Sequence, residues 1–426
     1  MKKLTVAFAG LGSRGTTYAS ILADMPSQVE IVAAADLDEA KLTRFAEKYG
    51  VPPERRYHSA EEMLREDRLA DAMVIATWDR AHAENAVNAM RKGYQLLLEK
   101  PISPFLNECL QVDRAATETG REAVVCHVLR FAPFFRKIRQ TILSGAIGEV
   151  VAIQMIEKVR YWHQAHSFVR GNWRNSEETS PMILQKSCHD MDILLWLTGK
   201  HCEKVSSFGS LRYFKPEFAP EGAPERCTEA CPQYHTCPYG IENCYLRRAR
   251  EEQFFGWPTD VVTQEGTLEA LEAALRDGPY GRCVFHCDND VVDHQVVNLL
   301  LEDGVTASFT MCAFTSEGGR RIHVMGTAGD IVGELEENRI TVTRFGQEPQ
   351  ELDASLPDGD NVGHGGGDQL LAEDFVRLLL EDGSREAVTN IHNSVESHVV
   401  ALAAEESRVN GGTTIDIKEF VNRASE

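Results

Sequence analysis

Long apolar runs are what this sequence most plainly lacks. No segment carries the 18 or more consecutive apolar residues of a membrane-spanning helix. The first apolar stretch, Leu4 to Ala9, runs into Gly10-Leu11-Gly12 instead of a small-residue cleavage site, so it reads as a strand and not as an export signal. A cytoplasmic location is the expectation. Positive charge is also scarce: 44 Lys and Arg stand against 65 Asp and Glu, a formal net charge of -21. A surface that acidic repels phosphate backbones and anionic lipid, which argues against nucleic-acid and membrane partners. No basic helix-turn-helix pattern is present, and no two cysteines have C-x2-C spacing. The eleven cysteines are an odd number, and Cys126, Cys188 and Cys312 fall in apolar runs, as expected of reduced cytosolic thiols.

What is present is globular. Hydrophobic residues make up 43% and charged residues 26%, and 426 residues exceed one ordinary core, so two domains are expected. The organising stretch is Leu96-Leu97-Leu98-Glu99-Lys100-Pro101. Three leucines read as a strand buried on both faces of a parallel sheet. A carboxylate, an amine and a proline follow at its carboxyl end, where open parallel sheets bind ligands.

Upstream, the strand Leu4–Ala9 leads into Gly10-Leu11-Gly12-Ser13-Arg14-Gly15 and an apolar-periodic helix. Strand, G-x-G-x-x-G, helix is the context of a dinucleotide site: the glycines allow a tight turn and close backbone approach, and the helix N-terminus attracts a pyrophosphate. A second strand, Val29 to Ala35, ends in Asp36, whose carboxylate suits ribose hydroxyls and repels a 2′-phosphate. Leu37 adds no positive charge, so NAD is expected over NADP. Further βα units follow to Ala123–Cys126, giving a doubly wound parallel sheet over residues 1–130. Thr77-Trp78 leaves the fourth strand at its carboxyl end and is placed in the cofactor groove.

From residue 131 to 426 the pattern changes to longer, alternating strands. Glu149 to Glu157, Val291 to Leu301, Val305 to Phe314, Arg321 to Met325, Ile331 to Glu334 and Ile340 to Arg344 predict an α+β domain on one large open, mainly antiparallel sheet. Its uncovered face suggests a homo-dimer or homo-tetramer. The C-terminal segments Asp368–Leu380 and Asn393–Val409 read as helices packing back on the body.

Within this domain, Met182 to Leu197 reads as one helix with Lys186, His189 and Asp190 on a shared face, where they would perturb one another toward acid–base work. Trp173-Arg174 is placed near the cofactor for stacking and charge. His163 and His166 read as surface or packing residues. A Cys-rich insertion spans about residues 214–281. Its Cys227, Cys231, Cys237 and Cys244 would be explained by a structural zinc, with an iron–sulfur cluster or unligated thiols as alternatives. Asp290, Asp293 and His294 read as a sheet-edge salt network.

The glycine turn, the acid after the second strand, Glu99-Lys100-Pro101, Trp173-Arg174 and the His-bearing helix together resemble the Gfo/Idh/MocA oxidoreductase family, from Val6 to the C-terminal helices. The resemblance implies a Rossmann domain, an open-sheet domain, NAD(P), and hydride transfer at a sugar or cyclic polyol carbon. It makes Lys100 the substrate-facing lysine, tuned by Glu99, and His189 its partner. His127, Arg130 and His364 are further substrate-binding candidates. Many relatives carry an aspartate four residues before that histidine, where this chain has Gln185; the nearest ionisable group is Lys186. The run Gly363-His364-Gly365-Gly366-Gly367-Asp368 also resembles the NAD-dependent glycosidase branch, which oxidises a ring hydroxyl, eliminates the glycosidic substituent, adds water and re-reduces. A non-catalytic NAD-sensing regulator is the remaining alternative.

Overall fold

The structure, a computed structural model, describes residues 3–355, 362–381 and 385–425. Two sheets organise it. The first is six parallel strands: β1 (Leu4–Ala9), β2 (Val29–Ala35), β3 (Arg56–Tyr57), β4 (Ala72–Ile75), β5 (Gln95–Leu98) and β6 (Ala123–Val125), in the order β3-β2-β1-β4-β5-β6. The order reverses beside β1, which opens a crevice at the strand ends between β1 and β4. β1, β4 and β5 are almost wholly buried, as their mainly apolar sequences require when helices cover both faces. One face is covered by helices Ala60–Arg65, His82–Arg91 and Leu106–Thr119, the other by Ser13–Ala23 and Glu39–Tyr49. The C-terminal helix Gly367–Leu380 joins the second group, inserting Leu371, Phe375 and Val376.

The second sheet has nine strands: β7 (Val150–Arg160), β8 (Cys202–Ser210), β9 (His294–Leu301), β10 (Thr306–Thr315), β11 (Gly319–Gly326), β12 (Gly329–Glu334), β13 (Arg339–Arg344), β14 (Gln350–Asp353) and β15 (Ile415–Asp416). All neighbours are antiparallel except β7 and β10. The expected fold class is therefore present, with one parallel pair at the sheet's centre. β9 alternates strictly: Gln295, Val297, Leu299 and Leu301 are buried, while Val296 and Asn298 face outward. The inward face packs on helices Pro133–Leu143, Cys188–Thr198 and Ile391–Val409.

Helix Cys188–Thr198 lies at the junction, and nine of its eleven residues are buried. Burial on all sides obliges its acids to find cations. Asp192, 1% exposed, receives Arg130 Nε and Nη2 at 2.8 and 2.6 Å. Arg130 also donates to the carbonyls of Val388 and Asn393, so it joins three segments. Proposed from sequence as a substrate residue, Arg130 is instead a buried structural cation.

Replacing Arg130 by Ala leaves Asp192 charged and unpaired in the interior. Chemical denaturation should show a loss of about 3–5 kcal/mol, and adding Asp192→Leu should recover much of it. An unchanged midpoint for Arg130→Ala would show that the pair does not stabilise the junction.

Candidate active site

The carboxyl ends of β1, β4 and β5 open onto one continuous cleft of about 1550 Å³, and the second half of the chain supplies its far wall. Single-ligand pockets run to roughly 300–1,000 Å³, so this one has room for a cofactor and a second molecule. The cleft is lined by Gly10, Gly12, Ser13, Arg14, Asp36, Thr77, Trp78, Glu99 and Lys100 from the first half. Trp173, Gln185, Lys186, His189 and His364 line it from the second.

The glycine turn is built for close approach. Gly10 has φ +88°, and a Cβ there would fall 2.3 Å from the Ala76 carbonyl oxygen. A Cβ on Gly15 would lie 2.0 Å from the Gly10 carbonyl oxygen, so turn and helix touch backbone to backbone. At Gly12 nothing lies within 4 Å, and no side chain caps the helix that starts at Ser13. Uncapped N–H groups facing open space make an anion site. Asp36 braces the turn: its Oδ2 accepts from Leu11 N–H at 2.6 Å and its Oδ1 from Asp38 N–H at 2.8 Å. Lys41 and Arg44 also line this end of the cleft.

Arg14 leaves the turn for the interior. Its Nε donates to Glu99 Oε1 at 2.7 Å, and its Nη2 donates to Asp368 Oδ1 and Tyr18 Oη, each at 2.6 Å. Glu99 therefore pairs with Arg14, and its second oxygen accepts the Lys100 backbone N–H at 3.0 Å. The expected tuning of the Lys100 amine by Glu99 has no direct contact behind it. The amine instead donates to the Gln185 carbonyl oxygen at 2.7 Å, which bridges the two halves of the chain across the cleft. His82 ties the neighbouring strand ends together, with ring nitrogens 3.0 Å from Thr77 O and 2.7 Å from Pro101 O.

The segment 182–198 is two helices, Met182–Gln185 and Cys188–Thr198, separated at Lys186 and Ser187. Lys186 nonetheless meets both expected neighbours, His189 in the cleft and Asp190 through one buried charge cluster. Lys186 and His189 line the cleft, whereas Asp190 is fully buried and points into the second sheet. There Arg320 Nε donates to it at 2.6 Å, and Arg320 Nη1 lies 2.9 Å from Glu157. Lys186 sits 3.2 Å from the other oxygen of Glu157. Two acids and two cations thus balance at the base of the site. Asp190, expected as a catalytic acid, anchors the helix.

His189 is 4% exposed, and its Nδ1 is buried without a partner. Burial, then the nearby charge of Lys100, depresses its pKa well below the ordinary histidine range, so it stands neutral. His364 lies 5.8 Å away, ring to ring, and its Nδ1 is 3.0 Å from Asp368 Oδ2. His127 lies 5.9 Å behind His189 and is fully buried, 5.4 Å from His398. It does not line the cleft, so it belongs behind the site, not against a substrate.

Other expected residues land elsewhere. Trp173 lines the cleft, but Arg174 turns to Asp288, at 2.8 and 3.0 Å. His163 and His166 both line the cleft, the latter bonded to Tyr245 Oη at 2.9 Å. Asp293 accepts the N–H groups of Arg212 and Tyr213, each at 2.8 Å, and pairs with His294, while Asp290 holds Ser176. Trp257 and Asp260, which the sequence did not single out, complete the far wall.

The expected zinc site is not formed. Among the described residues no three His, Cys, Asp or Glu side chains make a group able to hold a metal ion, and all the cysteines are free. Cys227 and Cys244 lie in an apolar cluster with Tyr245 and Leu271. The buried Arg170 guanidinium comes within 3.7 Å of Cys227 Sγ, a cation where a metal would need a thiolate. No helix among the described residues is long and apolar enough to cross a membrane.

A parallel sheet with a glycine turn, an acid after β2 and a cleft closed by an open-sheet domain defines a two-domain, dinucleotide-binding oxidoreductase. The chain belongs to the Gfo/Idh/MocA family. Residues 4–127 match its "Oxidoreductase family, NAD-binding Rossmann fold" and residues 139–417 its "Oxidoreductase family, C-terminal alpha/beta domain". It is 25% identical to the putative oxidoreductase YteT of Bacillus subtilis, over 87% of this chain and 88% of that one. It is 29% identical to inositol 2-dehydrogenase 2 of Saccharopolyspora erythraea, over 46% of this chain and 54% of that protein. The fold is shared with an oxidoreductase from Agrobacterium radiobacter solved with NAD+, L-tartaric acid and magnesium (TM-score 0.69, 17% identity, 98% and 99% coverage). It is shared too with apo scyllo-inositol dehydrogenase from Lactobacillus casei (TM-score 0.66, 16% identity, 98% and 99% coverage). The protein binds NAD.

Two measurements check this geometry. Asp36→Ala should weaken NAD binding about 10–100-fold, the equivalent of hydrogen bonds to a charged group, and narrow the preference for NAD over NADP. Titration of both dinucleotides reads both effects, and an unchanged NAD affinity would remove Asp36 from the site. The second concerns acid. His398 Nε2 accepts the Ile102 N–H at 3.0 Å while its Nδ1 side meets the Ser394 carbonyl, and burial lowers its pKa to about 3. Unfolded histidines take up protons below about pH 6.5, whereas His127, His189 and His398 stay neutral in the folded chain. Stability is therefore lost as pH falls below about 6.5, by about 1.4 kcal/mol per pH unit for each of them that stays neutral when folded, which for His398 extends to about pH 3. Melting curves from pH 7 to 4 should show this slope, and His398→Gln should flatten it.

Proposed function

We propose that the protein oxidises a ring hydroxyl of a sugar, glycoside or cyclic polyol with NAD. The observation that carries this reading is that Lys100 and the neutral His189 line one cleft at the end of β5. Gly10, Gly12, Ser13, Asp36, Thr77 and Trp78 would hold the dinucleotide, with Trp173 opposite. Bound NAD supplies the hydride acceptor. Lys100 donates a hydrogen bond to the reacting hydroxyl oxygen and favours its alkoxide character. His189 Nε2 takes the hydroxyl proton, its Nδ1 being enclosed. Gln185 O holds the lysine in place, and Lys186, balanced by Glu157, keeps a second cation at the site. The inositol dehydrogenases among the relatives support this substrate class.

A second reading uses the same residues for redox-assisted glycoside cleavage. It draws on His364, beside His189 at the end of the glycine-rich run. It also draws on a 26% identity, over 51% of this chain, to the 2,7-anhydro-N-acetylneuraminate hydratase of Escherichia coli.

A panel of glycosides, free sugars and inositols, followed at the NADH band and for released aglycone, separates the two. Net NADH formation supports the first reading; aglycone release without net NADH supports the second. Lys100→Ala and His189→Ala should each lower kcat by about 10²–10⁴-fold while NAD still binds. Full activity in Lys100→Ala would end both readings.

A further inference from the structure

His189 can take a proton at Nε2 only if Nδ1 carries the ring's hydrogen, because a neutral imidazole has one donor nitrogen and one acceptor nitrogen. Which nitrogen bears the hydrogen is set by what the other one meets. His189 Nδ1 is buried and has no hydrogen-bond partner among the described residues. Two imidazoles flank the ring. His364, 5.8 Å away, lines the cleft with it, whereas His127, 5.9 Å away at 77°, is fully buried behind it. The charged neighbours Lys100 and Arg320 offer only donors.

The hydrogen-bond network behind His189 assigns the tautomers. His398 Nε2 accepts the Ile102 N–H at 3.0 Å, so its own hydrogen is on Nδ1, which meets Ser394 O at 3.2 Å and Ser397 Oγ at 3.3 Å. Ser397 Oγ gives its hydrogen to Ser394 O at 2.8 Å and has only lone pairs left for His127 Nε2, 3.3 Å away. Asp192 Oδ1 lies 3.7 Å from the same nitrogen. A hydroxyl lone pair and a carboxylate both favour a hydrogen on His127 Nε2. Burial keeps His127 neutral, so its Nδ1 is a bare acceptor, and that atom too is buried without a partner. One ring thus holds an acceptor lacking a donor, and the ring in front of it needs an acceptor for its donor.

We propose that His127 is a positioning residue for the reaction: its Nδ1 accepts from His189 Nδ1–H, fixes the tautomer that leaves Nε2 free, and steadies the imidazolium once Nε2 has taken the hydroxyl proton. This rests on the reading of His189 as the base. The two Nδ1 atoms are not bonded in the free protein, and hydrogen bonds of this kind tighten, directly or across one water, when reactants bind. Ser397 and Asp192 hold His127 in turn, and Arg130 neutralises Asp192 at the far end. The proton stays on His189, and His127 acts only through it.

The test uses the full-length protein loaded with NAD and isotopically labelled at the histidine ring nitrogens, whose NMR shifts distinguish the two tautomers. His189→Gln identifies the His189 signals. His189 should be the Nδ1–H tautomer and His127 the Nε2–H tautomer. His127→Gln, whose amide reaches the Nε2 position and leaves the Nδ1 position empty, should move His189 toward Nε2–H. His127→Asn, whose amide carbonyl falls near the Nδ1 position, should not. With a sugar that the protein oxidises, His127→Gln should lower kcat about 10–100-fold with KM and NAD affinity unchanged, and His127→Asn should restore most of the loss. An Nε2–H His189 in the unsubstituted protein overturns the pairing and needs no variant, which covers the case in which His127→Gln fails to fold. An Nδ1–H His189 that survives His127→Gln, or an equal loss of kcat in both variants, overturns it as well. The expected tautomer change without oxidation of any sugar supports the pairing and counts against the proposed reaction.

Discussion

Helix Cys188–Thr198 has no solvent to lean on, and that constraint governs the site. Successive residues turn about 100° around a helix. Asp190 and Asp192 therefore project to nearly opposite sides, with His189 between them. Each acid must be paired inside the protein, and each has its own arginine: Arg320 from the second sheet and Arg130 from the end of the first half. The two ion pairs pull in opposite directions and leave the imidazole facing the cleft that Lys100 also lines. A helix with one exposed face would be free to roll; this one is not.

A second set of buried charges does the same for the cofactor side. Arg14 leaves the glycine turn to reach Glu99 at the end of β5 and Asp368 at the start of a C-terminal helix. Burial alone would raise the Asp368 carboxyl, but His364 and Arg14 hold it well below the usual range. The turn, the Lys100 strand end and the His364 segment are thereby one rigid unit. The Lys100 amine then reaches across to Gln185, in the short helix just before the clamped one. Cofactor turn, lysine and histidine are held by contacts between segments up to 354 residues apart in the chain.

Much of this was legible in the chain. Apolar runs of three to five residues ending at Gly10, Thr77 and Glu99 marked both the parallel strands and the edge where chemistry collects, because side chains buried on both faces leave little room for polar ones. Alternation in β9 and β10 marked the second sheet. The errors share a cause. Lys186, His189 and Asp190 have helical spacing, but periodicity does not register a break at Ser187, and the buried Glu157 that engages Lys186 lies on another strand. Four cysteines close in sequence suggested a metal, yet Arg170, from a distant π-helical turn, occupies their surroundings. Arg130 and Arg174 looked available and are engaged by Asp192 and Asp288.

The sequence by itself determined the two sheets, the dinucleotide turn and the residues at the end of β5, since each depends on local pattern: period, glycine placement, and the residue types at a strand's carboxyl end. Only the tertiary structure decided which ionisable groups remain for a ligand. Pairing of buried charge is settled between segments far apart in the chain, and the groups left over for the cleft, the His189 ring among them, are identified only once every other partner is in place.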